Sequence, residues 1–201
     1  MAISKEKIVV ASIKILNRDG IEKLTMRTVA KELGIKASSL YWHVSGKLEL
    51  YGAIAEHLCS QYDKPGNMGD VKDYLVEMLK SYRAMLLSMR DAVPIFENSL
   101  PITPKRVEII SATYDALLKL GIQKKNLVTV ANLLNNYVLS FVADEVRFKN
   151  TKPETFADIS NMLGVIDQRS EPEDDDFEGH FLYGLRVLFA GLEAVETLHT
   201  P

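Results

Sequence analysis

The sequence predicts an all-α chain: a short N-terminal three-helix domain containing a helix-turn-helix, then a larger helical bundle. Three observations lead there. Apolar residues recur at three- and four-residue spacing along nearly the whole chain, and no strand-length alternation or internal repeat stands out. Breakers, chiefly Gly34, the cluster Asp63-Lys-Pro-Gly-Asn-Met-Gly69 and the prolines 94, 101 and 104, punctuate that pattern. Its 201 residues, 47% of them apolar, suffice for one medium core or two small ones.

Each element has a start signal. Ser4 caps a first helix carrying Ile8, Val9, Ile13 and Leu16, ending near Asp19-Gly20. Thr25 caps a second, with Val29, Ala30 and Leu33 on one face. Gly34 follows where a left-handed backbone ends a helix, and Ile35 folds back on it. Residues 36–44 make about two turns, with Leu40 and Val44 facing the core. Ser45 is expected to cap the next helix, which runs to about Tyr62. The cluster at 63–69 marks the domain boundary, giving domains 1–62 and 63–201. Asp70 caps a helix with Leu75, Met78, Leu79, Tyr82, Met85, Leu86 and Met89, and a short helix lies near 93–98. Pro104 opens another at its first position, ending at Gly121. Long apolar helices cover 125–149 and 177–198, with a shorter one expected at 155–163 and a solvated acidic loop, EPEDDD, at 171–176.

Composition narrows the function classes. Net charge is −3, but residues 1–47 hold nine cationic side chains against four acidic ones. That half is therefore +5 and the remainder −8. A general polyanion binder is basic throughout, so the asymmetry favours one defined surface for a nucleic acid. A single cysteine, Cys59, rules out an internal disulfide framework and is expected to be buried and inert. No leader-like segment or bilayer-length apolar run was identified, so the expectation is a soluble, cytoplasmic protein with no membrane partner. The histidines 43, 57, 180 and 199 show no metal-ligand spacing, and no phosphate loop or nucleophile elbow occurs. An enzyme has no support; neither a metal nor a cofactor is expected.

The segment after Thr25 carries the chemistry. Short hydroxyls at Ser38 and Ser39 let a helix approach base edges, and Tyr41 reaches phosphate. A packed hairpin with an ordinary polar surface is the competing reading. LTMRTVAKELGIKASSLYWHVSGKLEL, residues 24–50, resembles the DNA-binding domain of the TetR family of transcriptional regulators, and GIKASSLYWHV is especially similar to its tetracycline-repressor branch. That resemblance implies a double-stranded DNA operator read by Thr25, Arg27, Lys36, Ala37, Ser38, Ser39, Tyr41, His43 and Lys47. Base contacts would come from Arg27 and residues 36–39, and phosphate contacts from Tyr41, His43 and Lys47. Trp42 is expected to pack rather than read bases. Met26 and Ala37 depart from the branch, so its operator sequence does not carry over.

The same resemblance implies a C-terminal ligand-binding and dimerisation domain. FLYGLRVLFAGLE, residues 181–193, is similar to the helix that pairs across a dimer. Two apolar helices, 125–149 and 177–198, exceed what one small bundle covers, which itself points to a homodimer through them. Met78, Tyr82, Met85, Met89, Phe96, Thr113, Asn132, Asn136 and Asp144 are the candidate pocket for a small-molecule effector. For the methionines and Phe96 core packing competes; the amides need partners from the helix surface or from a ligand. By resemblance Phe96 falls where the branch has a magnesium-binding histidine, Met78 where it has an amide, and Asp63 near another drug-contacting histidine. Magnesium–tetracycline is therefore not the expected ligand; a more apolar or aromatic effector without metal is. The function so predicted is a ligand-responsive regulator, a repressor released from a palindromic operator. A sequence-tolerant DNA-packaging protein and a scaffold without DNA reading are the alternatives.

Overall fold

The computed structural model describes residues 3–66, 69–152, 155 and 176–197. Its contacts form two compact units, Met1–Val138 and Leu139–Pro201, and the first continues across the 63–69 segment. No strand occurs among the described residues.

In the first unit, α1 (Lys5–Asp19), α2 (Met26–Glu32), α3 (Ala37–Tyr41) and α4 (Lys47–Cys59) share a core. Ile8, Leu16, Leu24, Val29, Leu40, Val44 and Leu50 are at most 1% exposed. Ser4 caps α1 by accepting from the Lys7 N–H. Thr25 and Thr28 form a reciprocal capping box on α2. Gly34, at φ +67°, ends that segment in the left-handed region, and the Ile35 N–H closes the turn by donating to Ala30 O.

Two expectations here need correction. Gly46, not Ser45, is the N-cap of α4; the Ser45 N–H and hydroxyl instead donate to Glu49, whose carboxylate reaches back from the first turn. Trp42 is 89% exposed rather than packed. α3 stops at Tyr41, and the backbone that buries Leu40 and Val44 leaves the residue between them outward.

Helix α4 ends at Cys59 and packs against α1, α5 (Val71–Leu87), α6 (Ala92–Glu97) and α7 (Pro104–Lys119). Polar clasps fix these neighbours. Asp91, left-handed at φ 58°, accepts the Ile21 N–H at 2.7 Å, while the Arg90 N–H donates to Asn17. The turn into α6 thus grips the end of α1. Both Glu56 oxygens accept the Lys105 N–H at 3.0 Å, so a carboxylate from α4 caps α7, favoured by the helix dipole. Thr103, the N-cap residue of α7, makes no side-chain cap, and its hydroxyl is buried without a partner among the described residues. Asp70 caps α5 through the Lys72 and Asp73 N–H groups.

Helix α8 (Leu127–Asn150) begins in the first unit and ends in the second. With its preceding turn it spans Lys124–Asn150, long and apolar enough by composition to cross a bilayer, contrary to the sequence expectation. Its fully buried positions, Leu134, Val138 and Val142, recur every four residues, the pattern of one face packed on protein. In the second unit α8 and α9 (Phe177–Thr197) meet through aromatics: Phe141 on Phe181 at 5.2 Å and Phe148 on Phe177 at 5.5 Å, both edge to face. Glu145, 2% exposed, pairs with Lys149 at 2.7 Å. The helix expected at 155–163 and the EPEDDD loop lie outside the described residues, Thr155 and Asp176 apart.

The Glu49 carboxylate is held at about 2, against an ordinary 4.5, first by the Ser45 N–H, then by Lys5 and the Ser45 hydroxyl. A depressed carboxylate contributes stability above its unfolded value and loses it as pH falls towards its folded one. Glu49→Gln is therefore expected to lower the melting temperature at pH 7 by at most about 3 °C, as suits a half-exposed pair worth about 1 kcal/mol. Wild type and variant should converge between pH 4.5 and 2 in thermal melts; a constant gap would contradict the linkage.

Candidate nucleic-acid interface and ligand cavity

The nine residues expected to face DNA lie on one stretch, from the cap of α2 to the first turn of α4. Thr25, Arg27, Lys36, Ser38, Tyr41, His43 and Lys47 are exposed, while Ala37 and Ser39 are half-buried. Leu40 and Val44 anchor the stretch from beneath. Lys36 is the N-cap of α3, so its backbone turns the chain while its side chain stays in solvent. The Thr25 hydroxyl is already engaged with Thr28. The Lys47 ammonium sits 5.3 Å from the centre of the Tyr51 ring, which positions it beside the α4 N-terminus. Such a cation and free N–H groups together suit a phosphate. Lys5 pairs with Glu49, and Arg18 with Asp19 and Glu32, so those charges brace helices instead.

Behind this surface, and wholly within the first unit, lies a cavity of about 220 Å³. Met78, Leu79 and Tyr82 of α5 and Phe96 of α6 form its apolar side. Arg106, Ile109, Ile110, Thr113 and Tyr114 of α7 face them, with Ala131, Asn132, Leu134 and Asn135 of α8. Cys59 and Tyr62, at the end of α4, complete the lining with Pro101. Tyr82 meets Phe96 edge to face at 6.0 Å and donates its hydroxyl to Asn135 at 3.1 Å. The Tyr62 hydroxyl donates to Met78 O at 3.1 Å. Burial holds the Tyr62 and Tyr82 phenols above their usual range, and pushes the Cys59 thiol up to about 12. All three are thus neutral at physiological pH, and Cys59 is a poor nucleophile.

Of the nine expected pocket residues, the structure brings Met78, Tyr82, Phe96, Thr113 and Asn132 to this cavity and leaves four elsewhere. Met85 is on the same face of α5, but seven residues or about 10 Å further along, and Met89 lies past the helix end. Both are buried core residues. Asn136 is turned about 100° from Asn135, outward, and accepts from the Asn135 amide. Asp144 is 65% exposed and pairs with Arg147 at 2.7 Å. Sequence reasoning missed Arg106, although 106, 109, 110 and 113 repeat at helical spacing around the expected Thr113. Among the described residues the lining contains no histidine or carboxylate.

Two family descriptions match the chain: "Bacterial regulatory proteins, tetR family" over residues 8–54, and "Tetracyclin repressor-like, C-terminal domain" over residues 65–196. The tetracycline repressor protein class D of Escherichia coli is 25% identical over 203 residues, covering 95% of this chain and 89% of that protein. Among solved structures, the Streptomyces coelicolor TetR family protein ActR in complex with actinorhodin superposes with a TM-score of 0.83 at 25% identity, covering 98% of this chain and 99% of that one. BioQ with its natural double-stranded DNA operator gives a TM-score of 0.70 at 26% identity, covering 96% and 99%.

Proposed function

The chain belongs to the tetR family of bacterial regulatory proteins, which makes it a ligand-responsive transcriptional regulator and not an enzyme; from that premise we propose that it is a homodimeric repressor, released from a palindromic operator by a small apolar or aromatic effector. The observation that carries this reading is α3 itself. It is five residues long, exposed along its Ser38–Tyr41–His43 side, and held from below by two fully buried side chains. Residues 1–62 act as the DNA-reading domain and 63–201 as the regulatory one. Arg27 and residues 36–39 read bases; Tyr41, His43 and Lys47 hold phosphates. Such a role belongs in the cytoplasm.

A dimer is supported by α9. Tyr183, Val187, Gly191 and Val195 are all exposed and spaced by four, a ridge suited to packing on a second helix. A Cβ built on Gly191 meets nothing within 4 Å, so the backbone there is open to close approach. On α8, Val128, Leu133 and Val146 are exposed as well. Two copies of α3 about 34 Å apart match successive major grooves on one side of a duplex.

The proposed switch runs through α4. Its first turn holds Lys47 and its last residue, Cys59, lines the cavity, so a ligand that alters the packing at Cys59 and Tyr62 tilts the whole helix. A shift of a few ångströms breaks both half-sites together, and a coupling of about 1–3 kcal/mol lowers occupancy five- to 150-fold.

DNA from upstream of the protein's own gene is the first probe. Fluorescence of Trp42, the one tryptophan in the chain and 89% exposed beside α3, should change on binding. Arg27→Ala should cost about 1–3 kcal/mol and relax base preference. Lys47→Ala should weaken all sequences alike and lower the salt slope by about one unit. Unchanged specific binding by Arg27→Ala counts against the reading, and equal affinity for random DNA favours a packaging protein. For the interface, Val187→Asp should convert a dimer to a monomer in sedimentation; a wild type that sediments as a monomer at micromolar concentration refutes the dimer.

A further inference from the structure

Among the described residues Arg106 is the one charged group in the cavity lining, and packing alone does not account for it. Its guanidinium carbon lies 4.6 Å from the centre of the Phe96 ring, stacked as a cation on an aromatic face. One terminal nitrogen, Nη1, donates to the Ser99 hydroxyl at 2.8 Å and to Ser99 O at 3.4 Å. The other, Nη2, donates to Phe96 O at 3.2 Å. Every one of these acceptors is neutral. Among the described residues no carboxylate stands in ion-pair range of Arg106. Several cations at the surface behave differently: Lys5, Arg18, Lys105, Arg147 and Lys149 each hold an acidic partner.

A structural role explains part of this, since the three hydrogen bonds tie the end of α6 to α7. It does not explain the charge. A guanidinium remains protonated in any protein setting, and one taken out of water without an anion is costly. Desolvation by burial does lower its pKa, in keeping with a cation short of solvent and of countercharge. Nη1 makes two of these contacts, both to Ser99, and Nη2 makes one, to Phe96 O. The edge formed by Nε–H and the second Nη2 proton keeps no acceptor among the described residues. That edge is the two-pronged donor that matches a carboxylate.

The remaining lining fixes the rest of the ligand. Met78, Tyr82 and Phe96 supply apolar and aromatic surface, and Asn132 an amide. About 220 Å³ has room for one or two fused rings. Resting on the reading of this cavity as the effector site, we propose that its ligand is a planar aromatic carboxylate: the ring lies among Met78, Tyr82 and Phe96, and the carboxylate takes the unused edge of Arg106. The neutral phenols and thiol around it leave Arg106 as the only countercharge in the lining among the described residues.

The test compares 2-naphthoate with 2-naphthamide, the same ring system with and without the charge, by calorimetric titration into the full-length protein at pH 7.5. The carboxylate should bind at least tenfold more tightly than the amide. Arg106→Gln should abolish that preference while leaving amide binding within about twofold, and Arg106→Lys should retain part of it. Equal binding of the two probes to the wild type overturns the carboxylate assignment but leaves the cavity as an effector site. Binding of neither, up to millimolar concentration, overturns both. A carboxylate preference that survives Arg106→Gln places the anion elsewhere and overturns the assignment to Arg106. Should Arg106→Gln fail to fold, the wild-type comparison and Arg106→Lys still decide the matter.

Discussion

The rigidity of α4 is the constraint on which the rest of this molecule depends. Leu50, Ile54, Ala55 and Leu58 are at most 2% exposed, so the inner face of this helix is locked into the core. At its N-terminal end it shares a core with the short helices whose outer surface meets DNA. At its C-terminal end Cys59 lies against the cavity. A close-packed interior has few intermediate arrangements, so a change at one end of such a rod is felt at the other as a displacement. The short α3 has no stability of its own, since five residues form barely one turn. It exists because Leu40 and Val44 are pinned to the same core as α4.

Polar contacts determine how α4 meets its neighbours. Glu49 joins the start of α4 to α1 through Lys5, and Glu56 joins its middle to the start of α7. Asp91 and Arg90 tie the α5–α6 turn to the end of α1. Each joins elements far apart in sequence, and Glu56, Asp91 and Arg90 do so by satisfying backbone groups near helix ends. Electrostatics are thus divided by position. The cations proposed to face DNA are left in solvent, several others brace helices, and Arg106 stands in the cavity with neutral partners only.

Most of the architecture was legible in the sequence because local signals and burial agree along it. Ser4, Thr25, Asp70 and Pro104 stand where helices begin, and Gly34 and Gly121 where helices end with positive φ. The misreadings share a cause. Ser45 has the chemistry of a cap, but its hydroxyl donates to Glu49 and the cap position falls on Gly46. Trp42 has the size of a core residue, but Leu40 and Val44 already fill the inward positions. Five of the nine expected residues line the cavity because helical spacing shows which side chains share a face. Met85, Met89, Asn136 and Asp144 lie off it because spacing does not say how far along that face a cavity extends.

By itself the sequence determined the helices, their caps, the turn at Gly34 and the charge asymmetry between the two halves. These are set by residues within a turn or two of each other, where φ preferences and side-chain hydrogen bonds act locally. Only the tertiary structure decided which side chains converge from α4, α5, α6, α7 and α8 on one cavity, and that Arg106 is among them without an anion. Convergence of that kind rests on the packing of helices up to about seventy residues apart, and no local propensity encodes it.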